Sequence, residues 1–557
     1  MKTTFNYDHY WLYEEIVSAF AQFAESYPDL CRVESLCKTE ENRDVLAITI
    51  TNFKNGEALE KPAFHIDGNT HAGEVTGSMT ALHTADILLT NYGEDPEITW
   101  ILDHLSVYVV PRVSPDGAEM YLTSPYTLRS VNRVHNPKVG GVKEEDLDED
   151  GVIRMMRIPT PYGAWKKDPE DPDTVKERKP SDVEGEFFDI YPEGVLEAYD
   201  GDENLKLKSS EWSLDFNRNY PYGWFPENRQ RGAGKYPLSN PETKAMADWI
   251  IEHPNIFGVS TNHTSGGLLL YPPGTRKEST ISSLDREAFK QIAKMGEEIL
   301  GYKPMNIYDS FISDQDNYDS GAFDDWCYQS QGILAFTVEL WDLANKVGVP
   351  YEWNKEESTD TEMKRFNACL KWVKENAPEA FVSWKPYHHP VFGDVEIGGF
   401  NYKFTHQNPP VHMLQEVCEK MSKFMLAFMK TAPRVHIESL EKEKVSKGVY
   451  KLTAVIGNLG YLPTNVSDEA SKLGIAKPVK VVLDSNHIIS GKKEEEIKSL
   501  EGFSATERGM FYGNLSTFRN AKARKKLSWV IEGQKGEVIT LKVTSEKAGQ
   551  AEAQIVL

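Results

Sequence analysis

Cysteine is scarce in this chain: five in 557 residues, an odd number with neither zinc-finger nor disulfide-framework spacing. A reducing, cytoplasmic setting is therefore expected. The opening MKTTFNYDHYWLYEEIVSAF lacks both a basic start and an uninterrupted apolar stretch, so no secretory leader is read there. No apolar run approaches the length that crosses a bilayer. Positive charge is short as well, with 62 Lys and Arg against 85 Asp and Glu, a net charge of -23 and a pI near 5.2. A surface of that sign repels phosphates, which argues against nucleic acid or an anionic membrane as partner.

Aromatic and apolar residues are plentiful: 12 Trp, 25 Tyr, 24 Phe and a hydrophobic share of 40% mark the chain as globular, and its length calls for two or more cores. Helical and extended patterns alternate through the first part. A helical segment at 12–27 precedes the strand-like VLAITIT and AFHIDG, a helical run at 74–89, SVYVVP, the helical PETKAMADWIIEH, and the strand-like NIFGVSTN and ILAFTVEL. Such alternation implies an α/β sheet flanked by helices, with sites at strand ends. Two stretches interrupt it. Residues from about 140 to 210 are acidic and rich in Pro and Gly yet keep apolar clusters, and those from about 350 to 410 hold a helical stretch at 363–376 and the turn-rich HHPVFGDVEIGGF; both read as ordered insertions able to wall a cleft. After the amphipathic helix at 411–430 the character changes. Short β-type runs separated by Gly, Asn and Lys turns, net basic in a chain that is otherwise acidic, imply a small β-sandwich over 436–557.

Chemistry concentrates at strand ends. GNTHAGEVTGS places His71 and Glu74 three residues apart, after AFHID. Alone, the pair fits a polar turn with Glu74 at a helix N-terminus as well as it fits two metal ligands. Catalytic zinc commonly takes two ligands close in sequence and a third far away, and His263 in STNHTSGG ends another strand. DFNRNYP holds Arg218, whose fork suits a carboxylate. AFTVELWD carries Glu339 at the end of an apolar strand, where a carboxylate could serve as general base.

In this order the motifs resemble the zinc metallocarboxypeptidases of the pancreatic carboxypeptidase A/B type. HxxE stands at His71 to Glu74, a Pro-Asp-Gly turn at Ser114, Asn-Arg at Asn217 and Arg218, PLSNPET at Pro237, the third ligand at His263 and FTVEL at Phe336 to Leu340. The resemblance implies a mixed-sheet α/β/α catalytic domain over 7–431, carrying both insertions, with the β-sandwich appended. It implies one zinc per chain on His71, Glu74 and His263, and an exopeptidase that hydrolyses C-terminal peptide bonds by metal-activated water. Glu339 would be the general base, Arg129 the oxyanion stabiliser, Asn217 and Arg218 the grip on the substrate's free C-terminal carboxylate, and Asp215 a hydrogen-bond partner of a ligating His. Tyr318 falls where the family has its capping Tyr, at a spacing to Glu339 one residue short. Asp324, two before Trp326, matches the position that gives basic-preferring members their C-terminal Lys or Arg; the alternative is an Asp324 turned to solvent or paired with an Arg.

The chain departs from the pattern after His263, where Thr264, Ser265 and Gly266 follow. DLDEDG also resembles the start of a calcium loop, with Asp146, Asp148 and Asp150 as candidate Ca²⁺ ligands, although the twelfth position is Arg157 rather than Glu, which favours a solvated acidic turn. Two other functions stay open at this point: a zinc-dependent deacylase or amidase of N-acyl amino acids, and an inactive peptidase-like binding protein. The ligand of the β-domain is unknown.

Overall fold

The computed structural model describes residues 1–135, 140–197, 205–208, 210–505, 507–511, 513–518 and 521–557. Apolar runs rich in Val and Ile form one eight-stranded sheet: β1 (Cys31–Lys38), β2 (Asp44–Ile50), β3 (Ala63–Gly68), β4 (Ser106–Val110), β5 (Ile256–Thr264), β6 (Leu268–Tyr271), β7 (Lys303–Asn306) and β8 (Leu334–Leu340). Their order across the sheet is β1-β2-β4-β3-β5-β8-β6-β7. The four central strands β4, β3, β5 and β8 run parallel, and the antiparallel pairs β2·β4 and β8·β6 flank them. Every residue of β3 and of β5 is buried, as strands covered on both faces must be.

Among the helices are α1 (Tyr13–Ser26), α2 (Val75–Thr90), α3 (Pro241–Glu252), α4 (Ser283–Leu300), α5 (Phe323–Gln331), α6 (Thr359–Asn376) and α7 (Val411–Met429). In β4, Val107 and Val109 join one core with Phe20 of α1, Met79 of α2, Phe289 of α4 and Phe424 of α7. Tyr108 and Val110 join a second core with Trp249 of α3 and Trp326 of α5. This period-two split puts one core on each face, and the result is a three-layer α/β/α unit.

Helix α2 is buried nearly all round, and its first turn meets β5 where no side chain fits. A Cβ on Gly77 would lie 2.2 Å from the carbonyl oxygen of Asn262, and one on Gly68 would lie 2.5 Å from the Gly77 backbone. Both neighbours are backbone and cannot yield. The two glycines thereby fix the turn between β3 and α2 against the end of β5.

The two insertions build one structure together. Strands Met155–Pro159, Trp165–Lys167, Val175–Glu177 and Phe188–Pro192 come from the first, and Phe381–His389 and Gly393–Phe400 from the second. They pair in a single six-stranded sheet through Ile397↔Met156 and its neighbours. HHPVFGDVEIGGF, read as turn-rich, is half of a β-hairpin, because the turn at 390–392 is short and the residues after it alternate in burial. Arg157 is buried at the junction, its guanidinium 3.8 Å from the Trp384 ring centroid and donating to the carbonyls of Pro172, Asp173 and Thr174.

The calcium candidates lie in the acidic turn of the first insertion. Asp146 accepts from the amides of Asp150 (3.2 Å) and Gly151 (2.8 Å), and Asp150 pairs with Arg154. Glu193, the other carboxylate beside Asp146 and Asp148, accepts from the amides of Leu147 and Arg154. Amides and an Arg occupy oxygens of Asp146, Asp150 and Glu193, and Arg157 at the twelfth position is built into the sheet; these contacts support the acidic turn and give calcium no support, although Asp146, Asp148 and Glu193 lie close together.

At the C-terminal end two four-stranded antiparallel sheets face one another. Val435–Ser446, Val449–Asn458, Arg524–Glu532 and Ile488–Ser490 form one; Glu494–Ile497, Val479–Asp484, Val538–Ser545 and Gly549–Val556 form the other. Leu452, Ile456, Trp529, Val481, Leu541 and Val543 fill the space between them. This sandwich is tied to the large sheet by Lys547, whose buried ammonium donates to the Ile256 carbonyl at 2.6 Å. All five cysteines are free thiols.

Gly77→Ala forces the α2 turn away from β5. The expected cost is about 2 kcal/mol or more, read as an earlier urea-unfolding midpoint; a midpoint equal to wild type would contradict the close approach.

Candidate metal centre and active site

Parallel register sets the floor of the site. Asn262 of β5 pairs with Gly68 of β3, and His263 pairs directly with Glu339 of β8. Partners in a parallel ladder share a face, so His263 and Glu339 emerge side by side at the carboxyl ends of adjacent strands. Beyond Gly68 the chain turns at Asn69, whose φ is 60° and whose amide donates to the carbonyls of His71 (2.7 Å) and Ala72 (3.0 Å). That turn delivers His71, and then Glu74 as the N-cap of α2, where the helix dipole favours its charge.

Three side chains converge. Nδ1 of His71 lies 2.9 Å from Oε1 of Glu74, Nδ1 of His263 lies 2.7 Å from Oε2 of Glu74, and the two Nδ1 atoms are 3.1 Å apart. Bonds of 2.0–2.1 Å in a tetrahedron give ligand–ligand edges of about 3.3 Å, close to these separations. The protons say the same. Nε2 of His71 faces Asp215 Oδ1 at 3.2 Å, a carboxylate that only accepts, so the ring proton sits there and Nδ1 presents a bare lone pair to Glu74. Nε2 of His263 lies 3.3 Å from the Thr261 hydroxyl, which donates to Asp67 at 2.6 Å. Lone pairs of two imidazoles and a carboxylate meeting in a buried space are what a cation between them would satisfy. The fields agree: Glu74 raises His263 to about 9 against its burial, and the two His rings hold Glu74 well below the usual carboxylate range. His71, Glu74 and His263 therefore form a donor set that fits a tetrahedral metal with a position left open.

Charged groups surround this trio. Asp215, whose carboxyl is held far below its ordinary range by Arg129, Arg218 and His71, takes Nε of Arg129 at 2.7 Å. Arg129 in turn brings Nη1 to within 3.9 Å of Glu74 and lines the cleft, half-exposed. Burial and the nearby Glu74 raise Glu339 to about 8, with His263 and Arg129 pulling it down. Arg218 holds Asp319 at 2.6 Å and donates to the Asn217 carbonyl at 2.9 Å. Asn217 faces inward: its Oδ1 accepts from the Phe323 amide and its Nδ2 lies 3.4 Å from Nε2 of His263.

Tyr318 stands apart from the trio, its ring against Phe225 and Tyr308, one residue from the Asp319 that covers Arg218. Asp324 is buried beneath Glu339, accepting from the Thr337 hydroxyl (2.7 Å) and the Asp325 amide (2.8 Å). It neither turns to solvent nor pairs with an Arg among the described residues, and burial raises its pKa.

Several residues of the site escaped the sequence reading. Asp67 and Thr261 stand behind His263, and His65 Nε2 lies 3.2 Å from Asp67. The signal was present in AFHIDG, where two polar residues alternate in a strand otherwise fit for a core. Tyr402, Lys403 and Gln407 wall a cleft of about 680 Å³ together with Arg129, Trp212 and Asp215. Lys403 is pulled down to about 7 by burial, and its ammonium donates to the carbonyls of Tyr121 and Ser124.

Comparison with known proteins follows this geometry. A family model described as zinc carboxypeptidase matches residues 16–359, and one described as a domain of unknown function matches residues 434–556. Carboxypeptidase D of Mus musculus is 30% identical over 409 residues, 69% of this chain and 23% of that protein. Carboxypeptidase A2 of Rattus norvegicus is 32% identical over 344 residues, 61% of this chain and 64% of that one. This chain thus spans under a quarter of the mouse protein and under two thirds of the rat one. A crystal structure of thrombin activatable fibrinolysis inhibitor has a TM-score of 0.46 at 17% identity, over 76% of this chain and 74% of that chain.

His263→Ala removes one of three donors, and equimolar zinc in the purified protein is expected to disappear with it. Asp215→Asn keeps all three but weakens the grip on His71, lowering zinc affinity by about tenfold or more in a chelator competition. Stoichiometric zinc in His263→Ala would exclude this ligand set.

Proposed function

Because the chain belongs to the zinc carboxypeptidase family, we propose that it is a zinc-dependent exopeptidase removing the C-terminal residue of peptides that end in a free carboxylate. The observation that carries this reading is the ladder pairing of His263 with Glu339, which sets a carboxylate beside the donor trio. His71, Glu74 and His263 would hold the ion. A bound zinc supplies Lewis-acid polarisation of the scissile carbonyl and acidifies water. The residues of the chain do the rest. Glu339, whose buried position favours holding a proton, takes one from the attacking water and passes it to the leaving amine. Arg129, oriented by Asp215, places positive charge where the carbonyl oxygen becomes anionic. Arg218 binds the substrate's terminal carboxylate through its fork, in place of Asp319, and Asn217 positions Arg218 through the carbonyl it offers. Tyr318 moves with Asp319 to cap the bound end.

Asp324 supports a basic preference at that end. It is a buried carboxylate with two neutral donors and no Lys or Arg paired with it among the described residues, and an incoming Lys or Arg completes it while an apolar side chain leaves it unpaired.

Two measurements test these roles. Glu339→Gln is expected to keep zinc and lose about a hundredfold or more in kcat; near-normal turnover would place the base elsewhere. Wild type should hydrolyse blocked dipeptides ending in Arg or Lys about tenfold or more faster in kcat/KM than those ending in Phe or Leu, and Asp324→Ala should erase the difference. A wild type that prefers Phe or Leu would remove Asp324 from specificity, and hydrolysis of N-acyl amino acids alone would favour a deacylase.

A further inference from the structure

Past Tyr402 the cleft continues into a second cavity of about 380 Å³, lined by Ile153, Met155, Tyr351, Phe366, Cys369 and Phe400. The two spaces share Ile153, Met155 and Tyr402 in their walls, so they adjoin one another. Its walls come from both insertions. Met155 begins a strand of the six-stranded sheet, Phe400 ends another, and Phe366 and Cys369 belong to α6.

Apolar side chains make up most of the lining, and of its charged members Arg154 and Arg365 are occupied, while Glu362 stands exposed at the rim. Arg365 lies 3.8 Å from the Tyr351 ring centroid, donates to both oxygens of Glu357 and also donates to the carbonyls of Val349 and Pro350. Arg154 is paired with Asp150. His406 meets the Tyr351 hydroxyl through Nε2 at 3.1 Å, is held neutral by burial, and stacks on Tyr402 with ring centroids 5.1 Å apart. These contacts fix the walls before any ligand arrives, and the volume lies at the lower end of the range for small-ligand pockets.

Direction follows from what the cavity lacks. Arg218, Tyr318 and Asp324 do not line it, whereas Tyr402 and Met155, on the Arg129 side of the cleft, do. A peptide whose terminal carboxylate sits at Arg218 therefore runs its preceding residues toward Tyr402.

We infer that this cavity is a subsite for a large apolar side chain of the peptide substrate, upstream of the scissile bond, so that the enzyme selects peptides by an internal aromatic or aliphatic residue as well as by their last one. The inference rests on the exopeptidase reading above. A cavity of this kind buries one side chain, which is worth about tenfold or more in kcat/KM.

The test is a set of tetrapeptides with one C-terminal residue, in which Phe, Leu, Ala or Asp is walked through the upstream positions, assayed beside a blocked dipeptide too short to reach the cavity. At one upstream position Phe or Leu should exceed Ala by about tenfold or more, and Asp should be poorest. Phe366→Ala, which opens the wall, and Phe400→Trp, which fills the space, should each flatten that preference to within about threefold while the dipeptide is hydrolysed at the wild-type rate. A flat profile in a wild type that cleaves the dipeptide would overturn the subsite, as would a preference that survives both variants. A wild type that leaves the dipeptide intact would overturn the exopeptidase reading and the subsite with it.

Discussion

Everything in the catalytic half depends on the parallel register of three adjacent strands. With Asn262 opposite Gly68 and His263 opposite Glu339, the ends of β3, β5 and β8 are aligned to within one residue. A slip of one residue would turn His263 or Glu339 to the other face of the sheet. The absence of side chains at Gly68 and Gly77 lets α2 approach closely enough for Glu74 to reach the two imidazoles. The buried chain from His65 through Asp67 and Thr261 to His263 then orients one ligand, as Asp215 orients the other. Each imidazole of the trio thus has a partner behind it, and its Nδ1 faces inward toward Glu74.

Much of this was legible because the signals are local. Strand and helix patterns placed α2, α7 and the central strands to within a few residues, since period 2 and period 3.6 are read over short windows. His71, Glu74 and His263 were readable as a possible metal group from residue type and strand-end position. The union of the two insertions was not, because Met156 and Ile397 are far apart in sequence and nothing in either pattern names its partner strand. Asp319 on Arg218 was missed for a related reason: an exposed Asp in a polar loop looks the same whether or not it meets an Arg from another segment. The acidic DLDEDG turn was ambiguous because carboxylates that cap amides and carboxylates that bind a cation share one sequence pattern.

The added parts have separate physical roles. The six-stranded sheet closes one side of the cleft and, with α6, shapes the apolar extension beyond Tyr402. The C-terminal sandwich carries its own core and meets the large sheet at the start of its central strand β5, with Lys547 on Ile256 at the opposite end of that strand from His263. It therefore bears on the stability of the central strand and leaves the cleft open.

The central claim is that one metal group, built on aligned strand ends, acts on the carboxyl end of a peptide. It is tested most directly by mass spectrometry of one unblocked peptide, in free-acid and C-terminally amidated forms, incubated with zinc-loaded and with chelated protein. The account expects zinc-dependent loss of the last residue from the free acid and none from the amide. Internal or N-terminal cleavage, or equal processing of both forms, would contradict it.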